Sequence, residues 1–146
     1  VQRISAGLRP AALDHLGLSA ALCEEADLFS QRTGIPCALE VHAPGLSLSP
    51  EAETAIFRIF QESLTNVSRH AKAGKVEAVF SSDGEVLTLS VRDDGVGMDL
   101  SVLEDPRSLG LIGMLERAEN IGGSLVLSSN PQKGTEVALT LPLQNN

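Results

Sequence analysis

Two runs of alternating side chains, Val76 to Ser81 and Val86 to Val91, lie on either side of Ser82-Asp83-Gly84-Glu85, and no other feature limits the possible folds as tightly. An apolar residue at every second position suits a strand with one buried face, and an Asp-Gly pair between two such runs predicts a hairpin. The second run leads directly into Asp93-Asp94-Gly95-Val96-Gly97. A strand ending this way brings a carboxylate acceptor, and glycines that let a backbone approach a ligand closely, to the open end of a sheet. Taken alone, those five residues read as a tight turn.

Helical spacing accounts for much of the remaining chain. Pro10 opens a first helix with Leu13, Leu16, Leu18, Leu22, Ala26 and Phe29 on one face, closed by Gly34. His15 lies within it and reads as a surface residue rather than a phosphate acceptor. Cys37 to Val41 alternates as a short strand, and a loop from Ala43 to Leu48 follows. Ser49 as N-cap, Pro50 at the first position, and Glu51 and Glu53 near the positive end of the dipole start a second helix, which Gly74 ends. Its buried stripe is Ile56, Ile59, Phe60, Ser63 and Val67. Glu62 and Asn66 form a polar row beside that stripe, continued by Arg69 or His70, either at the rim of a cleft or on an ordinary polar face. Met98 to Leu109 has no clear period and is the candidate mobile segment. Gly110 opens a third helix facing inward through Leu111, Leu115, Ala118 and Ile121, ended by Gly122-Gly123. Two strands, Ser124 to Ser129 and Thr135 to Leu141, close the chain. This order predicts an α+β fold, a two-layer sandwich in which a mixed, mostly antiparallel sheet of about five strands is covered on one face by three helices.

Composition excludes several functions. The 146 residues are 42% hydrophobic, enough for a single domain with its own core. A net charge of −8, a pI near 4.8 and the lack of Trp and Tyr argue against direct nucleic-acid binding. Cys23 and Cys37 are too few for a disulfide framework, and both read as buried small hydrophobes in phase with apolar neighbours. No apolar run approaches the ~18 residues of a membrane span, which predicts a soluble, cytoplasmic chain without membrane contact.

The weak motifs occur in an order that resembles a known family. Gln61-Glu62-Ser63-Leu64-Thr65-Asn66-Val67-Ser68-Arg69-His70-Ala71 is similar to the N box of the ATP-binding domain shared by sensor histidine kinases, gyrase, Hsp90 and MutL, the GHKL superfamily with the Bergerat fold. Asp93-Asp94-Gly95-Val96-Gly97-Met98 resembles its G1 box, and Gly110-Leu111-Ile112-Gly113-Met114-Leu115-Glu116-Arg117-Ala118 its G2 box. Gly134-Thr135-Glu136 resembles the closing glycine-threonine motif, so the resemblance covers nearly the whole chain. The segments GLRPAALDHLGLSAAL and GLIGMLERAENIGGSL are most similar to the kinase subfamily that partners NarL-type response regulators. The phosphorylated histidine of that subfamily lies in a helical hairpin ahead of the catalytic domain, and its Arg-Glu-Leu-His-Asp-type motif has no counterpart here. By resemblance, residues 1–9 are the end of a linker from that hairpin and 10–146 the catalytic and ATP-binding domain.

The resemblance also implies roles. Asp93 would accept the exocyclic amine of adenine and disfavour guanine, with Thr135 supporting the contact through water. Asn66 would hold Mg²⁺ through its amide oxygen, and Glu62 would be the general base or orient the nucleophile. Arg69, His70 or Lys72 would offset phosphate charge, and the sequence does not choose among them. Gly95, Gly97, Met98, Gly110, Leu111, Gly113 and Met114 would flank the lid and line the ATP site. The implied function is transfer of the ATP γ-phosphoryl group to a histidine on a separate dimerisation domain, for relay to a NarL-type response regulator. The domain alone would be monomeric and the parent protein dimeric, either free in the cytoplasm or attached to the inner membrane. A serine kinase of the anti-sigma-factor type, a conformational ATPase, and a nucleotide-binding interaction domain without kinase activity are the competing readings.

Overall fold

Five strands, β1 (Cys37–His42), β2 (Val76–Ser82), β3 (Val86–Asp93), β4 (Ser124–Asn130) and β5 (Gly134–Pro142), form one sheet in the order β1-β2-β3-β5-β4. The structure is a computed structural model that describes residues 10–71, 73–95, 109–130 and 134–143. The readings of residues 1–9, Lys72, Gly97, Met98 and the candidate mobile segment through Ser108 lie outside these, as does the side chain of His70. The β2–β3 hairpin forms as its Asp-Gly turn requires: Asp83 Oδ1 accepts the backbone N–H groups of Glu85 and Val86, both at 2.9 Å. β3 pairs antiparallel with β2 and β5, and β4 with β5, while β1 is parallel to β2 because a helix carries the chain across between them.

The helices are α1 (Ala11–Leu16), α2 (Leu18–Thr33), α3 (Pro50–Asn66) and α4 (Leu109–Asn120), packed on the sheet face that carries Ala78, Phe80, Leu87, Leu89, Val91 and Leu139. Phe29, Ile56, Ile59 and Phe60 from the helices are fully enclosed against it. Each such side chain contributes roughly 1.5–3 kcal/mol by leaving water. Glu77, Arg92 and Thr140 alternate onto the opposite face and stay exposed, so the two-layer sandwich expected from the pattern is what forms. Ser49 Oγ caps α3 by accepting the Ala52 N–H at 3.1 Å, with Pro50 at the first position.

Three local expectations are corrected. The helix expected from Pro10 to Gly34 is two helices, because Gly17 adopts φ 81° and ψ 168°, a conformation outside the helical region that glycine alone adopts readily. The break resets the helical phase, leaving Leu16 47% exposed while Leu13 and Leu18 remain in the core. Cys23 is exposed as well, off the buried face set by Leu22, Ala26 and Phe29; Cys37 is half-buried, and desolvation, with the charge of Asp27 second, pushes its thiol up to about 11. Finally, the helix expected to reach Gly74 is α-helical only to Asn66 and continues as a π turn over Val67–Ala71.

Candidate functional site

The pocket grows from the phase of two neighbouring strands. Leu87, Leu89 and Val91 point inward from β3, and the same alternation carries Asp93 inward, where it is 4% exposed. On β5 the inward residues Val137 and Leu139 bring Thr135 to 7% exposure at the same end of the sheet, since Arg92 pairs with Glu136 one position earlier. Over these two lie Ser63, Asn66 and Val67 at the end of α3 and Leu111 in the first turn of α4, with Val91, Leu127 and Val137 completing the wall. An acceptor set among Val and Leu side chains suits an apolar-faced ligand, such as a planar heterocycle, that offers an N–H donor. Among the described residues, the free volume of the pocket is about 10 Å³, the scale of one water.

Two adjacent carboxylates are tuned in opposite directions. Burial raises Asp93 above the usual carboxylate range; the backbone N–H groups of Gly95, at 2.8 Å, and Thr135 pull it partly back, and the charge of Asp94 adds to the rise. Asp94 is exposed and lowered, because its Oδ1 accepts the backbone N–H of Lys75 at 3.0 Å and of Gly74 at 2.8 Å. Asp94 therefore pins the loop after the π turn to the end of β3. Asn66 lines the pocket, and its Nδ2 is buried without a hydrogen-bond partner among the described residues. A half-turn of the amide puts an oxygen in that position, so the residue fits a hard cation or a phosphate-bound water, either of which would satisfy the orphaned group.

The sequence candidates are placed unevenly. Asp93, Thr135, Asn66 and Leu111 converge on the pocket, and Gly95 is buried beside Asp93. Glu62 stands one turn before Asn66 but leans onto α4, where Gly110 is its neighbour. Arg69 is exposed on the π turn, and a Cβ at Gly113 would meet none of the described residues within 4 Å. Met114, expected at the nucleotide, is 1% exposed in the core, where its Sδ lies 3.5 Å from Ser63 Oγ, a hydroxyl that donates to the Ile59 carbonyl at 2.8 Å. Helical spacing places Met114 three residues after Leu111 on the inward face, so this was readable from the periodicity.

The sequence reading named Gly134 only as part of a motif, without its packing role, and missed Ser129. Gly134 has φ 100°, and a Cβ there would overlap the backbone oxygen of Asp93 and lie 2.9 Å from its carbonyl carbon, so only glycine lets β5 close on the end of β3. Ser129 on β4 faces Thr135 across the strand pair, with the two hydroxyl oxygens 3.3 Å apart. The signal available for both was the period-two register of the last hairpin.

Comparison with known proteins places the chain in a family and agrees with its fold. Residues 51–145 match the family described as histidine kinase-, DNA gyrase B-, and HSP90-like ATPase. The chain is 34% identical over 143 residues to the signal transduction histidine-protein kinase/phosphatase DegS of Brevibacillus brevis, a match that covers 98% of this chain and 37% of that protein. It is 36% identical over 148 residues to the sensor histidine kinase MctS of Rhizobium johnstonii, covering 100% of this chain and 32% of that protein. It thus spans about a third of the length of these relatives. Among solved structures, the histidine kinase domain of the blue-light activated histidine kinase of Erythrobacter litoralis EL346 superposes with a TM-score of 0.71 at 26% identity, over 86% of this chain and 61% of that one. From four ordered motifs, a matching fold and a match through residue 145, the chain belongs to the histidine kinase-, DNA gyrase B- and HSP90-like ATPase family.

Proposed function

We propose that this domain binds ATP through Asp93 and donates its γ-phosphoryl group to a histidine on a separate dimerisation domain, for relay to a response regulator of the NarL type. The observation that carries the reading is Asp93, a buried acceptor at the end of β3 amid apolar walls. Its ionised carboxylate receives the exocyclic amine of adenine; guanine would place a carbonyl against it, two acceptors facing each other in a dry site. Thr135 and Ser129 form a hydroxyl pair beside it that orients a bridging water. Asn66 is the residue that would hold Mg²⁺, which when bound neutralises charge on the phosphate oxygens. Glu62, one turn away on α3, takes the proton from the attacking imidazole or orients it. Arg69, on the π turn, adds positive charge near the phosphates.

The kinase subfamily is favoured by the two histidine kinase relatives, which match end to end along this chain, including the α1–α2 segment ahead of the nucleotide site. Incubation of the full-length protein with γ-labelled ATP should label a histidine, and Asn66→Ala should remove both that labelling and the magnesium-dependent part of nucleotide binding. Nucleotide binding without any phosphohistidine would favour the interaction-domain reading, and label on serine the anti-sigma-factor type. An Asn66→Ala protein whose binding still responds fully to magnesium would contradict the metal assignment.

A further inference from the structure

We infer that Gly110 is a positioning residue for Glu62: the absence of a side chain at 110 makes room for the Glu62 carboxylate, so that the seat of α4 fixes where this group stands. A Cβ built on Gly110 would overlap Glu62 Oε2 and lie 2.8 Å from its Cδ and 3.2 Å from its Cγ. The carboxylate is therefore lodged over the first turn of α4. A backbone requirement does not account for this glycine, since Gly110 is not among the positive-φ residues and sits within a regular helix, where alanine is intrinsically preferred. Gly113, one turn further in the same motif, has none of the described residues within 4 Å of its added Cβ. Among the described residues the two glycines of one motif thus differ in the space around them: a side chain at 110 would displace the end of Glu62, and one at 113 would not. Ser63 and Met114, next along the same interface, are both buried and meet between the two helices. A negative group at the amino end of a twelve-residue helix is also favourably placed with respect to the helix dipole.

The role of Glu62 in phosphoryl transfer rests on the proposed function, whereas the packing does not, so the test has two arms. In the first, melting temperatures are measured for wild type, Gly110→Ala, Glu62→Ala and the double variant. Alanine at 110 should leave the melting temperature unchanged or lower it in the wild type, yet raise it by about 2–6 °C once Glu62 is truncated. Equal shifts in both backgrounds would overturn the inference. In the second arm, full-length Gly110→Ala should lose about tenfold or more in the rate of histidine labelling while its ADP affinity changes less than about threefold, and should lose nothing further when Glu62→Ala is present. An ADP affinity that falls in step with the rate would show that Gly110 acts on the nucleotide and would equally overturn it. Failure of the kinase reading leaves every variant, wild type included, without label, and the melting cycle still decides the packing.

Discussion

Asp93 and Asp94 are chemically identical neighbours with opposite roles, and the difference is a half-turn of strand. Asp93 continues the inward phase of Val91 and loses water; Asp94 leaves the sheet and collects two N–H groups from the loop at Gly74 and Lys75. The sign of each shift sets a pH dependence. Because burial raises Asp93 in the folded state, its protonated form contributes stability that is fully present below the unfolded carboxylate value and lost as pH rises through the folded one. Asp94 behaves oppositely: its contribution is present above the unfolded value and lost as pH falls through its lowered folded value. Adenine needs the ionised Asp93, so ADP affinity is expected to weaken, about tenfold per pH unit, as pH falls below the raised Asp93 value. Calorimetry across an acidic series checks this. Affinity that holds constant down to about pH 4, where an ordinary aspartate titrates, would mean that the base amine is held by another group.

At the scale of elements, period two proved the most informative signal. It located β2, β3 and β5, fixed which face was buried, and, carried two residues beyond Val91, already placed Asp93 inside. Helical periodicity served α3 equally well, from its Ser49 cap to the buried stripe through Ser63. It failed where the backbone changed state without a change of pattern. Gly17 sits in a run that alternates as a helix should, and only its positive φ shows that the helix stops there. The π turn at Val67–Ala71 was likewise unreadable, because the shift from i+4 to i+5 bonding is decided by what the turn packs against. The close approach of β5 to β3 gives a prediction of its own. Gly134→Ala brings a methyl group into the backbone of Asp93 at a φ that disfavours any side chain, and is expected to cost about 2–3 kcal/mol, a fall in melting temperature on the order of 10 °C. A melt within 2 °C of wild type, by the same order-of-magnitude scaling, would show that β5 can withdraw from the strand end at little cost.

The whole molecule places its chemistry at one end of the sheet. The end of β3, the start of β5, the end of α3 and the start of α4 meet there, while the Asp83-Gly84 turn and the Ser49 cap occupy the other end. The fold class was legible because helix, strand, helix and hairpin follow in an order with few ways to bury every apolar face. A helix between β1 and β2 permits the parallel pair that forms, and with the hairpins it makes the sheet mixed. The constellation was less legible: motif order named Asp93, Asn66 and Thr135, whereas the Glu62–Gly110 packing and the Ser129–Thr135 pair depend on how separate elements lie against each other. The account rests on Asp93 as the adenine acceptor, and titration of the domain with ADP and with GDP, for wild type and Asp93→Ala, tests it most directly. The account predicts that wild type prefers ADP and that Asp93→Ala loses about 1.5–3 kcal/mol, roughly 10- to 150-fold in affinity for ADP, together with its preference over GDP. An Asp93→Ala protein that binds ADP as tightly as wild type and still discriminates against GDP would contradict it.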